Sequence, residues 1–121
     1  MAETNLELEE LLDQIPVGLT YADADGVIRY RNRAAAQRPS PRPRDIGVNI
    51  RDCHAQPKSL KKIDEIYADF NRGRQTPHHY VSARTGIKEL VTLIPIFTDA
   101  QFRGCLSVVH PLELKGESRT F

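Results

Sequence analysis

The stretch DADGVIRYRNRAAA, residues 23–36, carries more fold information than any other part of the chain. Asp23 to Gly26 supplies turn chemistry, and beyond it Val27, Arg29 and Arg31 alternate with Ile28 and Tyr30. A period of two with β-formers beside a turn predicts a strand. The preceding segment VGLTYAD, residues 17–23, carries β-formers of its own, so the two segments predict a hairpin. Where the alternation stops, Asn32 precedes an Ala-rich run. Its side-chain oxygen suits the free amides that open a helix, which predicts a short capped helix directly after the hairpin.

Working outward, the proline-rich segment RPSPRPRD, residues 38–45, ends that helix and predicts a loop, because proline can continue neither helix nor ladder. On the N-terminal side Leu6, Leu8, Leu11, Leu12 and Ile15 recur near the helical period of 3.6 with acids between them. An amphipathic helix is predicted over about residues 5–14, capped by Asn5 and ended by Pro16. On the C-terminal side IGVNIRDCHAQ, residues 46–56, predicts a short helical turn and a bend. Pro57 then opens a helix to about residue 71, with Leu60, Ile63, Ile66, Tyr67 and Phe70 on one apolar face and Gly73 as its stop. Three strands follow at residues 78–84, 87–98 and 102–112, joined by connections short enough for hairpins. The fold class is therefore α+β, as one domain of 121 residues with its core over about 15–112 and a tail over 113–121.

Composition narrows the function. At 40% hydrophobic and 27% charged the chain is expected to fold, and a formal charge of +1 gives no global field toward nucleic acid or an anionic membrane. No apolar run approaches a membrane span and the acidic start MAETNLELEE is unlike a signal peptide, so a cytoplasmic location is expected. Cys53 and Cys105 lack CxxC spacing and are expected as core thiols, with neither a disulfide framework nor a complete zinc site. Phosphate-binding glycine loops, Rossmann fingerprints and hydrolytic triads have no counterpart in the sequence.

The order of elements alone is shared by many α+β domains, but the residues say more. The run from Asp23 to Ala36 resembles the opening of PAS domains, in which a hairpin ends in an Asn that caps the next helix. The middle run, Ile46-Gly47, Cys53-His54, Pro57-Lys58-Ser59, then Phe70 and Gly73, is similar to a PAS subgroup with a Cys-His-Pro-Pro-Lys-Ser motif, often attached to hemerythrin-like domains. The likeness spans about residues 12–110, and Ala55-Gln56-Pro57 inserts one residue relative to that subgroup. It implies a five-stranded antiparallel sheet with helices on one face, an N-terminal amphipathic helix, and a pocket between the inner sheet face and the longer helix.

In such a pocket His54 is the first candidate, as a proximal ligand to heme iron through an imidazole nitrogen. His79 is a candidate second ligand; only one of His78 and His79 can face inward on a strand, and His110 lies near the end of the last strand. Ile63, Ile66, Tyr67, Phe70, Leu90 and Ile94 are expected to line the cofactor, with Leu19, Tyr21 or Ile28 contributed by the first hairpin. Arg42, Arg44, Arg51, Arg84 and Arg103 are candidate partners for heme propionates or another anion. Heme b is the expected cofactor, ahead of flavin, since the Asn-Cys photochemical motif of light-sensing relatives is absent.

Three functions follow from the resemblance. The first is a heme-binding sensor of gas or redox state that signals through a separate protein. The second is a heme-dependent enzyme such as one that degrades heme oxidatively. The third is an apo interaction or small-molecule-binding module. Leu90, Thr92, Ile94 and Ile96 oppose Val91, Leu93 and Pro95 on one strand, and apolar residues on both faces predict a second surface for the N-terminal helix or a homodimer.

Overall fold

The computed structural model describes residues 6–39, 44–54, 56–83 and 86–112. A short helix α1 (Leu8–Asp13) leads into the hairpin β1 (Gly18–Asp23) and β2 (Ile28–Arg31), followed by α2 (Arg33–Gln37). A single 3-10 turn at Ile50–Cys53 precedes the long helix α3 (Pro57–Asn71). Strands β3 (His78–Ser82), β4 (Glu89–Thr98) and β5 (Gln101–Pro111) complete one antiparallel sheet in the order β2-β1-β5-β4-β3. The expected five-stranded α+β architecture is present, with β5 at the centre because its long run pairs with both β1 and β4.

The N-terminal part is knotted together by Asn32, which is fully buried. Its Oδ1 accepts from the amides of Ala35 at 3.0 Å and Leu19 at 2.9 Å. Its Nδ2 donates to the carbonyls of Leu12 and Val17 at 3.0 and 2.9 Å. The predicted cap thus also joins α1, β1 and α2 through groups that burial would otherwise leave unpaired.

Helix α3 starts at Pro57 as expected and buries Ile66, Tyr67 and Phe70 against β5 residues Phe102 and Cys105. The rings of Tyr67 and Phe102 meet edge to face at 5.7 Å, and Phe70 and Phe97 each lie 5.8 Å from Phe102. Aromatic area of this kind dominates a small core.

Several boundaries differ from the sequence reading, and the strands expected at 78–84 and 87–98 are observed as β3 and β4 over His78–Ser82 and Glu89–Thr98. Helix α1 begins at Leu8 with Glu7 as its cap residue, and the expected cap Asn5 lies outside the described residues, as do Arg42, Arg84 and the tail over 113–121. Between β4 and β5 the turn consists of Asp99 and Ala100 alone, with φ of 51° and 63°, so Thr98 pairs with Gln101 and β5 starts one residue early. Positive φ at both central residues is the geometry that matches the twist of a two-residue hairpin.

Candidate functional site

On the inner face of the sheet the register aligns residues into rows. Gly18, Val109, Val91 and Tyr80 form one, and Thr20, Ser107, Leu93 and His78 the next. Ala22, Cys105 and Pro95 form the third. Between these rows and the helical segments lies a cavity of about 130 Å³. Its walls include Ile63, Ile66 and Tyr67 of α3, Cys53 and His54 of the connecting segment, Ile28 of β2, and three arginines, Arg31, Arg38 and Arg44.

The entry of Arg31 has a structural cause. Strict alternation along β2 would send Ile28 and Arg31 to opposite faces. Ala22 pairs with Ile28 while the adjacent Tyr21 pairs with Tyr30, so Arg29 is an extra residue on β2. This bulge resets the parity and turns both Ile28 and Arg31 inward, a recognised use of bulges beside binding sites. Arg29 itself points to Asp23, with Nε 2.8 Å from Oδ2. A second irregularity, where Ile96 pairs with Gly104 and Phe97 with Phe102, leaves Arg103 as the extra residue and aims Phe102 at the core.

The cavity is polar at one end and apolar at the other. At the end marked by the Gly18 row, the Arg38 guanidinium grips the buried Glu89 carboxylate, with Nε at 3.1 and 3.0 Å from its two oxygens and Nη2 at 2.6 Å. Arg31 donates Nη2 to the Ala35 carbonyl at 2.7 Å, while its Nε is buried without a hydrogen-bond partner. At the opposite end Cys105, Ile66 and Tyr67 close the site; burial pushes the Cys105 thiol up to about 12 and raises the Tyr67 phenol, so both stay protonated. A neutral thiol of this kind is neither a nucleophile nor a thiolate ligand.

Of the residues expected at the site, His54, Ile63, Ile66, Tyr67, Ile28 and Arg44 line the cavity. Phe70 sits beside it in the aromatic core. Leu90 and Ile94 stand on the opposite face of β4, and their neighbours Val91 and Leu93 face the cavity instead. With apolar residues on both faces, alternation separates two sets without saying which is inside. His79 is likewise on the outer side of β3, its Nδ1 3.1 Å from Thr92 Oγ1, and does not share a cavity with His54. His78 faces inward but packs on Phe70, with Nε2 3.2 Å from Asp69 Oδ2, and His110 is exposed. Arg51 pairs with Asp64 at 2.9 Å and lies over the Tyr67 ring, and Arg103 is exposed.

Residues 8–110 match the PAS domain family. The chain belongs to that family. The C-terminal domain of a Streptococcus mutans protein is similar at 25% identity, with a TM-score of 0.71 over 87% of this chain and 82% of that one. The PAS domain of BvgS from Bordetella pertussis is 14% identical, with a TM-score of 0.65 over 89% of this chain and 85% of that one. The Aer2 receptor of Vibrio cholerae, a dual PAS-heme oxygen sensor, is 19% identical with a TM-score of 0.59, covering 80% and 95% of the two chains. At these identities the latter two establish the fold. No curated protein matches the chain.

As it stands in this structure, the cavity of this PAS domain is smaller than a heme. It compares in volume with voids of about 150 Å³ that admit benzene, and a porphyrin is several times larger. His54 stands at the wall as the one histidine among the lining residues, without the second imidazole expected from His79. No group of three or more His, Cys, Asp or Glu side chains among the described residues is arranged to hold a metal ion. Among the described residues no helix is long and apolar enough to cross a membrane. Sequence reasoning missed Arg31 and Arg38; for Arg31 the signal lies in the register of the hairpin, which the alternation of residue types conceals.

Proposed function

We propose that this PAS domain is a sensory module that responds to a small organic molecule held between the inner sheet face and α3. The observation that carries the reading is the cavity itself, walled by Ile28, Ile63, Ile66, Val91 and Leu93 with polar side chains at one end. An apolar enclosure with a few convergent polar groups is the usual form of a ligand site. Because α3 and the connecting segment supply one wall, filling the cavity favours one position of those elements, and a population shift of this kind is how occupancy becomes a signal. The half-buried apolar residues on the outer sheet face support output through a homodimer or a separate signalling protein. The Cys53-His54 and Pro57-Lys58-Ser59 runs support a place near the hemerythrin-associated subgroup.

The test uses benzene as a neutral probe matched to the cavity volume. Methyl resonances of Ile28, Ile63, Val91 and Leu93 are expected to shift saturably on addition, and an Ile63→Trp variant that fills the space is expected to lose the response. Shifts spread over the surface, or none at all, would remove the ligand-binding reading. A parallel hemin titration tests the heme sensor and heme-degrading readings: a saturable Soret band abolished by His54→Ala would support them, and its decay with ascorbate and oxygen would favour the second.

A further inference from the structure

We infer that the ligand of this cavity is a small organic anion, a short branched or aromatic carboxylate, with its charged end at Arg31 and its apolar body toward α3. The inference rests on the ligand-binding reading and names the chemical class that the site takes.

Among the described residues the lining contains three guanidinium groups, from Arg31, Arg38 and Arg44, and no aspartate or glutamate. Arg38 is already neutralised by the bidentate carboxylate of Glu89. Arg31 is not: among the described residues no carboxylate lies within ion-pair distance of it, and its one protein hydrogen bond goes to the Ala35 carbonyl. A guanidinium keeps its charge at any physiological pH, so burial cannot be relieved by deprotonation. Its Nε–H is shielded from solvent and unpartnered, a state whose desolvation cost calls for a compensating acceptor. A ligand carboxylate supplies both the acceptor and the opposite charge.

Position supports the same assignment. Arg31 pairs across β1 with Thr20, whose row continues to Ser107 and Leu93, so two hydroxyl-bearing residues line the cavity in the same row as Arg31. Beyond that row Ala22, Cys105, Ile66 and Tyr67 offer a neutral end with both ionisable groups held protonated. A ligand with one anionic end and one apolar end matches this polarity, and a volume of about 130 Å³ limits its body to roughly benzene size. The bulge at Arg29 gives the arrangement its register: without it, Arg31 would face away.

The experiment compares isovalerate with isovaleramide, which match in shape and differ in charge, by calorimetry on the intact protein. Isovalerate is expected to bind about tenfold more tightly or better, the fold-change of one charge-assisted hydrogen bond in a desolvated site. Arg31→Gln is expected to bring that ratio close to unity, and Arg31→Lys to restore part of it. Equal binding of acid and amide, or binding of neither while benzene still enters the cavity, would overturn the anion assignment and leave the ligand-binding reading standing. If benzene also fails to enter, both fall. A preference for the acid that survives Arg31→Gln in a folded protein would overturn the role of Arg31.

Discussion

The two faces of the sheet carry similar residue types and meet different surroundings. On the inner face Ala22, Val91 and Cys105 are each 5% exposed or less, beneath α3 and the connecting segment. On the outer face Leu19, Leu106, Val108 and Ile94 are half-buried, and Val81 at the edge is 60% exposed. Apolar side chains therefore do not by themselves mark the ligand face. What marks it is the covering helix, the bulge that turns Arg31 inward, and a buried acid, Glu89, placed on the same side of β4 as Val91.

The sharpest way to break this asymmetry is to remove that acid. Glu89→Gln leaves the Arg38 guanidinium buried with a neutral partner, and loss of one member of a buried pair costs about 3 kcal/mol or more. Chemical denaturation is expected to show a correspondingly lower midpoint at unchanged slope. Exchanging both residues together, Arg38→Met with Glu89→Gln, is expected to recover most of the loss, because no uncompensated charge then remains. A single variant as stable as the wild type would mean that the pair contributes nothing to this end of the inner face.

Much of the fold was legible because local and global signals agree. Pro57 at a helix start, Asn32 at a cap and the apolar face Ile63-Ile66-Tyr67-Phe70 each state their role in residue type and spacing. The site was less legible. Val91 and Leu93 were missed because β4 is apolar on both sides, so a period of two leaves the choice of face to tertiary contacts. Arg31 was missed because a single extra residue, Arg29, reverses the parity of β2, and a bulge has no signature in an alternation of types. Arg38 depends on a partner 51 residues away, beyond the reach of any local pattern.

A matched pair of valines sharpens the comparison at smaller amplitude. Val91 on the inner face is 4% exposed, whereas Val108 is half-buried on the outer face. Val91→Ala is expected to cost about 2 kcal/mol and Val108→Ala about half as much, in proportion to the methyl area withdrawn from water. Both are measured by urea midpoint at two protein concentrations. Equal costs, with a midpoint for Val108→Ala that depends on concentration, would place a second copy of the chain over the outer face; equal costs at every concentration would dissolve the distinction between the faces.

The smallest effect concerns the turn that sets which residues of β4 and β5 oppose each other. Ala100 holds φ at 63°, a left-handed conformation that its Cβ disfavours by about 1 kcal/mol. Ala100→Gly removes that strain but adds freedom to the unfolded chain, an opposing term of about 0.5 kcal/mol. A net gain of about 0.5 kcal/mol is expected, seen as a rise in Tm of about 2 °C with the amide shifts of both sheet faces unchanged. Because Thr98 and Gln101 already pair across this turn, the substitution alters strain without altering register. A fall in Tm would show that the Ala100 methyl makes a stabilising contact, and altered shifts at Val91 and Val109 would show that the turn residue, besides the bulges, helps to decide which side chains reach the cavity.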